Sequence, residues 1–161
     1  MKPTVYLETT VIGYLAMRSS SLLRVAADQQ TTLDWWDNYR HQYDLVVSRF
    51  VVEECSAGDP VAAQERLVYL DGIPLLPVSK EVDLLAESLL ADVPLPAKAR
   101  IDAFHISVAA VNGVQYLLTW NCRHIANPSL RSQIERVCRE RNCELPVICT
   151  PDELLEINDV T

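Results

Sequence analysis

Residues 4–15 read TVYLETTVIGYL, and the interpretation of this stretch decides the fold. Thr4, Val5, Tyr6 and Leu7 favour an extended chain, and an apolar run at 11–15 follows two threonines. Between them, at the tip of what reads as a buried strand, stands Glu8. A glutamate is rarely buried fully unless it is paired or binds a metal. A carboxylate in that place needs partners from elsewhere in the chain.

Segments like the first recur at 44–47, 74–78, 115–119 and 146–149. All are short and apolar without clean alternation, as expected of strands covered on both faces. Helical stretches lie between them. Asp59-Pro60 supplies a cap and a proline at the first helical position for 60–70. Ser79 precedes the amphipathic KEVDLLAESLLAD, and Gly113 closes the helix carrying IDAFHISVAAVN. Thr150-Pro151-Asp152-Glu153 is a capping box that opens a last short helix. LDWWDNYRHQY reads as helix, with Trp35 and Trp36 packing in the core or at a subunit interface rather than stacking on bases. Alternating strands and helices predict an α/β sandwich with a mainly parallel sheet, in one domain spanning 1–161.

Composition narrows the function. Apolar residues make up 49% and charged residues 22% of the 161 residues, ordinary for a soluble domain. No run approaches a membrane span, and Lys2 is followed by no signal-like apolar block, so a cytoplasmic protein is expected. Five cysteines without a CxxC pair predict reduced thiols rather than disulfides or structural zinc, with Cys138 and Cys143 read as unreactive. A net charge of −8 argues against a broad nucleic-acid surface held by charge alone. It leaves room for a local site where metal ions offset acids.

In open parallel sheets ligands bind beyond the carboxyl ends of the strands, near a switch in strand order. Glu8 follows the first strand, SRFVVEECSAG with Glu53 and Glu54 follows the second, and Asn121 follows the fourth. Asp102 lies in the first turns of the helix before that strand. These side chains, distant in sequence, can meet in one cleft. Magnesium and manganese take oxygen ligands of this kind, commonly one or two carboxylates plus substrate phosphate.

YLETTVIGYL, SRFVVEECSAGD, DAFHISVAAVNGVQYLLTWNCRHIANP and VICTPDELL, in this order and spacing, resemble the PIN-domain nucleases, most closely the VapC-type toxins of toxin–antitoxin pairs. The resemblance implies a three-layer α/β/α sandwich with a five-stranded, mainly parallel sheet. It also implies an acidic cleft holding Mg²⁺ or Mn²⁺, and metal-dependent cleavage of RNA. Glu8 takes the position of the usual first aspartate. Glu54 matches the second acid, while Glu53 would point roughly 100° away around the helix. Asp102 matches the third, and Asn121 stands where a fourth acid is frequent. The implied metal ligands are Glu8, Glu54 and Asp102, with Asn121 completing the catalytic set. One tightly held ion and a weaker second are expected, since Asn121 replaces an acid.

Thr9, Ser48 and Thr119 are candidates for orienting those carboxylates through their hydroxyls. Lys98, Arg100 and Arg123 are candidates for holding phosphates. His105 and His124 read as hydrogen-bonded structural residues, because the expected ion prefers oxygen. The leading expectation is an endoribonuclease toxin, homodimeric and restrained by an antitoxin protein. The alternative is a PIN-like domain of little or no activity that binds RNA or protein. A phosphatase-like use of the strand-end acid would need an acidic pair or an aspartate nucleophile, and ETT supplies neither.

Overall fold

The first strand sits in the middle of the sheet. In the computed structural model, which describes residues 1–159, strands β1 (Thr4–Leu7), β2 (Asp44–Val46), β3 (Tyr116–Leu118) and β4 (Val147–Cys149) pair in parallel. Their order is β2-β1-β3-β4. The chain therefore leaves β1 toward one edge and later returns to β1's other side. That reversal places a switch point between β1 and β3, where the crevice beyond the strand ends opens.

The helices are α1 (Thr9–Ala16), α2 (Leu23–Asn38), α3 (Arg49–Cys55), α4 (Pro60–Tyr69), α5 (Lys80–Asp92), α6 (Arg100–Val111), α7 (Pro128–Glu140) and α8 (Pro151–Asp159). They form two packed sets. Helix α1 packs on α2 and α4, and α2 on α8, while α5 packs on α6 and α7. Helix α3 touches α1, α4 and α6, and so spans the two sets. Parallel crossovers almost always share one hand, so connections running in opposite directions from β1 put helices on both faces. Among the described residues no helix is long and apolar enough to cross a membrane.

Several local expectations hold. The Asp59 carboxylate accepts from the Ala62 amide at 2.9 Å, and Thr150 and Glu153 exchange the reciprocal bonds of a capping box. Ser79 precedes α5 in extended conformation, but its hydroxyl makes no cap bond. Trp35 is fully buried against Tyr43, and Trp36 meets Tyr69 edge-on beneath the Arg40 guanidinium. Both tryptophans pack within the fold. All five cysteines are free, and burial pushes the Cys55 thiol up to about 11 and those of Cys138 and Cys149 to about 12.

The sheet has four strands, not the five expected. Residues 74–78 contribute a single parallel bridge, Val47 to Leu75, beside β2. There Val47 N–H donates to Pro74 O and Leu76 N–H to Val47 O. Pro74 and Pro77 have no amide hydrogen to extend the ladder, so the pairing stops after one step. Leu117 is fully buried in the inner strand β3, between β1 and β4. Leu117→Ala should destabilise the protein by about 2–5 kcal/mol, measured by urea unfolding. A loss below about 1 kcal/mol would contradict this placement in the core.

Candidate metal centre and cleft

Glu8 ends β1 and caps α1, and both roles follow from its position. Its amide donates to Leu118 O at 3.1 Å, continuing the β1–β3 ladder by one residue. Its carboxylate accepts from the Thr10 amide at 3.2 Å, satisfying an open donor in the first turn of α1. The Thr10 hydroxyl donates to Oε1, and Thr119 Oγ1 donates to the same oxygen at 2.6 Å from across the switch point. The side chain is 2% exposed. No lysine or arginine pairs with it among the described residues.

Glu54 reaches the same place from α3. Its Oε1 accepts from Thr9 Oγ1 and lies 2.6 Å from His105 Nε2. The other ring nitrogen of His105, which is fully buried, is 2.7 Å from Tyr6 Oη, itself 2.7 Å from Ser48 Oγ. A hydrogen-bonded chain thus runs Ser48–Tyr6–His105–Glu54–Thr9. Burial pushes the Tyr6 hydroxyl far above the ordinary phenol range, so it stays protonated. Burial also raises Glu54, but the bonds and charge of His105 and the bond from Thr9 outweigh it and leave the acid lowered. With Glu54 ionised, the Nε2 N–H of His105 donates to it, while Nδ1 pairs with the Tyr6 hydroxyl.

Asp102 lies in the first turn of α6 and lines the same cleft. Its Oδ2 is 2.9 Å from His124 Nδ1. Asn121 also lines the cleft, but its Oδ1 accepts from the His124 amide at 3.1 Å and so shapes the loop after β3. The Asn121 amide donates to Thr119 Oγ1, and the Trp120 amide to Thr10 Oγ1. These bonds tie the β3 loop to the threonines that hold Glu8.

The cleft has a volume of 460 Å³ and is lined by Glu8, Glu54, Asp102 and Asn121, with Thr9, Thr10, Gly13, Tyr14, Met17 and Arg66. Glu53, the neighbour of Glu54, is not among its walls. A larger cavity of 740 Å³, bordered by Glu81, Asp92 and Glu140, contains none of the predicted residues. Thr9 and Thr119 bond carboxylates directly, while Ser48 acts three hydrogen bonds away through Tyr6 and His105. Lys98, Arg100 and Arg123 do not line the cleft, and Arg100 is paired with Glu87 at 2.6 Å. The cation that does line it is Arg66 of α4, which no motif marked.

Among the described residues, Glu8, Glu54 and His105 each bring a ligand atom within 4.8 Å of the others. Asp102 is absent from that compact set and is engaged with His124. His105 is the hydrogen-bonded residue expected, yet its ring nitrogen also belongs to the set. The donor chemistry fits a divalent cation: a buried carboxylate without a basic partner, a second carboxylate, and an imidazole beside them.

No protein-family model matches the chain, and no curated protein is matched by sequence. Among solved structures, a chain in the crystal structure of VapBC2 from Rickettsia felis bound to a DNA fragment from their promoter is similar. The match has a TM-score of 0.54 at 12% identity, and covers 91% of this chain and 98% of that one. The two share a fold. The likeness spans nearly all of both chains.

Burial raises the Glu8 carboxyl above its ordinary value of 4.5, against the lowering effect of His105 and the threonine bonds. Its ionised form therefore costs stability in the metal-free protein. As pH rises from 4.5 through the raised folded value, the native state retains the proton longer than the unfolded chain, so stability falls. In chelator, Glu8→Gln should lack this decline and gain on the wild type as pH rises. Urea unfolding of both proteins across that range checks it. Parallel pH profiles would contradict the assignment.

Proposed function

We propose that this chain is a metal-dependent endoribonuclease, the toxin of a toxin–antitoxin pair. The observation that carries the reading is Glu8, a buried carboxylate at the sheet's switch point with no lysine or arginine paired to it among the described residues, facing a cleft shared with Glu54 and Asp102. The shared fold with a chain of a VapBC2 complex supports it. Magnesium or manganese bound there would supply a water of lowered pKa and offset charge on the attacked phosphate.

The protein's own residues prepare that chemistry. Glu8 and Glu54 hold the cation, with His105 and Thr9 fixing Glu54 in its ionised form. Thr10 and Thr119 set the Glu8 carboxylate and leave its other lone pairs for a ligand. Asp102, oriented by His124, completes the acidic wall and can accept a proton or hold a bound water. Asn121 keeps the loop after β3 in place, and its oxygen is committed to the His124 amide. An antitoxin would inhibit by placing an arginine or lysine against these acids.

The second reading, a PIN-like module with little activity that binds RNA or protein, draws on Asn121. At this position an amide already engaged in the loop replaces a fourth acid. Two experiments separate the readings. Purified protein should cleave RNA only with Mn²⁺ or Mg²⁺, and Glu54→Gln and Asp102→Asn should each lower the rate at least about a hundredfold. Equal cleavage by wild type and both variants would point to a contaminating nuclease. Asn121→Asp should raise Mn²⁺ affinity in calorimetric titration, because it adds charge at nearly constant volume. Unchanged affinity would place residue 121 outside the metal's surroundings.

A further inference from the structure

Gly13 occupies the middle of α1, where glycine weakens a helix relative to alanine. The other three glycines, Gly58, Gly72 and Gly113, each sit at positive φ, which explains them. Gly13 has no such reason, and a Cβ built on it meets nothing within 4 Å. The fold has room for a side chain there and does not use it. Gly13 also lines the acidic cleft, and with Met17 and Arg66 it lines an adjoining groove of 310 Å³. The two concavities meet across the bare surface of α1.

Arg66 borders both. Its Nε donates to Cys55 O at 3.0 Å and its Nη2 to Ala57 O at 2.6 Å, which fixes the guanidinium against the end of α3. It forms no ion pair with any acid among the described residues, although three line the cleft with it. The adjoining groove sets the single charge of Arg18 against the two acids Asp59 and Glu65, so a phosphate contact falls to Arg66. Tyr14 lines the cleft one residue from Gly13 and stacks on Trp120 at 5.6 Å between centroids. Trp120 is itself held by a 2.8 Å bond to Thr32 Oγ1.

We infer that a single strand of RNA crosses α1 at Gly13, its backbone lying where a side chain would project. Arg66 holds a phosphate next to the one at the acids, and Tyr14 offers its ring to a base. This assignment rests on the endoribonuclease reading for the identity of the strand. It makes Gly13, Arg66 and Tyr14 substrate-positioning residues rather than parts of the metal centre.

The test uses a short phosphorothioate single-stranded RNA, which keeps the backbone charge and resists cleavage, with Mn²⁺ present and binding read by fluorescence anisotropy. Gly13→Ala should raise the thermal midpoint while weakening binding, and Gly13→Leu should weaken it about tenfold or more through steric exclusion. Arg66→Gln should weaken binding about tenfold. It should also reduce the slope of log Kd against log salt by about 0.7, the contribution of one single-strand phosphate contact. Arg66→Lys should keep that slope. A purely structural Arg66 would lower the thermal midpoint and leave the slope unchanged, which overturns its part in the track. Folded Gly13→Leu that binds like wild type overturns the path itself, and if wild type still cleaves RNA the nuclease reading stands. Conversely, the expected losses in a protein that cleaves nothing would support the track and remove the nuclease reading.

Discussion

One constraint organises this molecule: the Glu8 carboxylate is buried at the junction of β1 and β3 with no lysine or arginine paired to it among the described residues. Burying an ionised carboxylate is costly unless charge or hydrogen bonds compensate. The hydroxyls of Thr10 and Thr119 and the Thr10 amide provide part of that compensation. A divalent cation bound there, as proposed above, would supply the remainder. Strand order makes the place unavoidable, because β1 is central and the chain reverses direction beside it. The threonines on the two flanking segments, Thr9-Thr10 and Thr119, then form a collar around the site.

Much of this was legible in the sequence, for physical reasons that differ by residue. Glu8 stood out because a carboxylate at the end of an apolar strand conflicts with ordinary burial. Glu54 was separable from Glu53 by helix geometry, and it is Glu54 that lines the cleft. The fifth strand does not form, because the apolar pattern of 74–78 is overridden by Pro74 and Pro77, which cannot donate to a ladder. Lys98, Arg100 and Arg123 lie near the site residues in sequence but do not line the cleft. Arg100 turns to Glu87, whereas Arg66, on a helix with no motif, arrives through the packing of α4 on α1 and α3. Gly13 carried a signal that only the fold could interpret, since its empty surroundings are what distinguish it from a packing glycine.

The histidines change the character of the site more than the acids do. His105 links the buried Tyr6–Ser48 pair to Glu54, so a hydroxyl beneath the sheet's end helps fix a carboxylate at the cleft. His124 does the same for Asp102 and is positioned in turn by Asn121. Each acid at the cleft is therefore oriented by a neighbouring polar residue, as ligands of a metal usually are. Holding the carboxylates apart on fixed partners lets like charges share a small space in the absence of an ion.

If a divalent cation completes the charge of Glu8, thermal unfolding with and without Mn²⁺ will show it. In chelator, Glu8→Gln should melt at or above the wild-type midpoint. With Mn²⁺ at a hundredfold excess over its dissociation constant, wild type should gain about 2.7 kcal/mol through binding to the native state. Glu8→Gln should lose most of that gain. A variant that melts lower in chelator yet responds normally to Mn²⁺ would contradict the account, because Glu8 would then be a structural acid and the cation would be bound elsewhere.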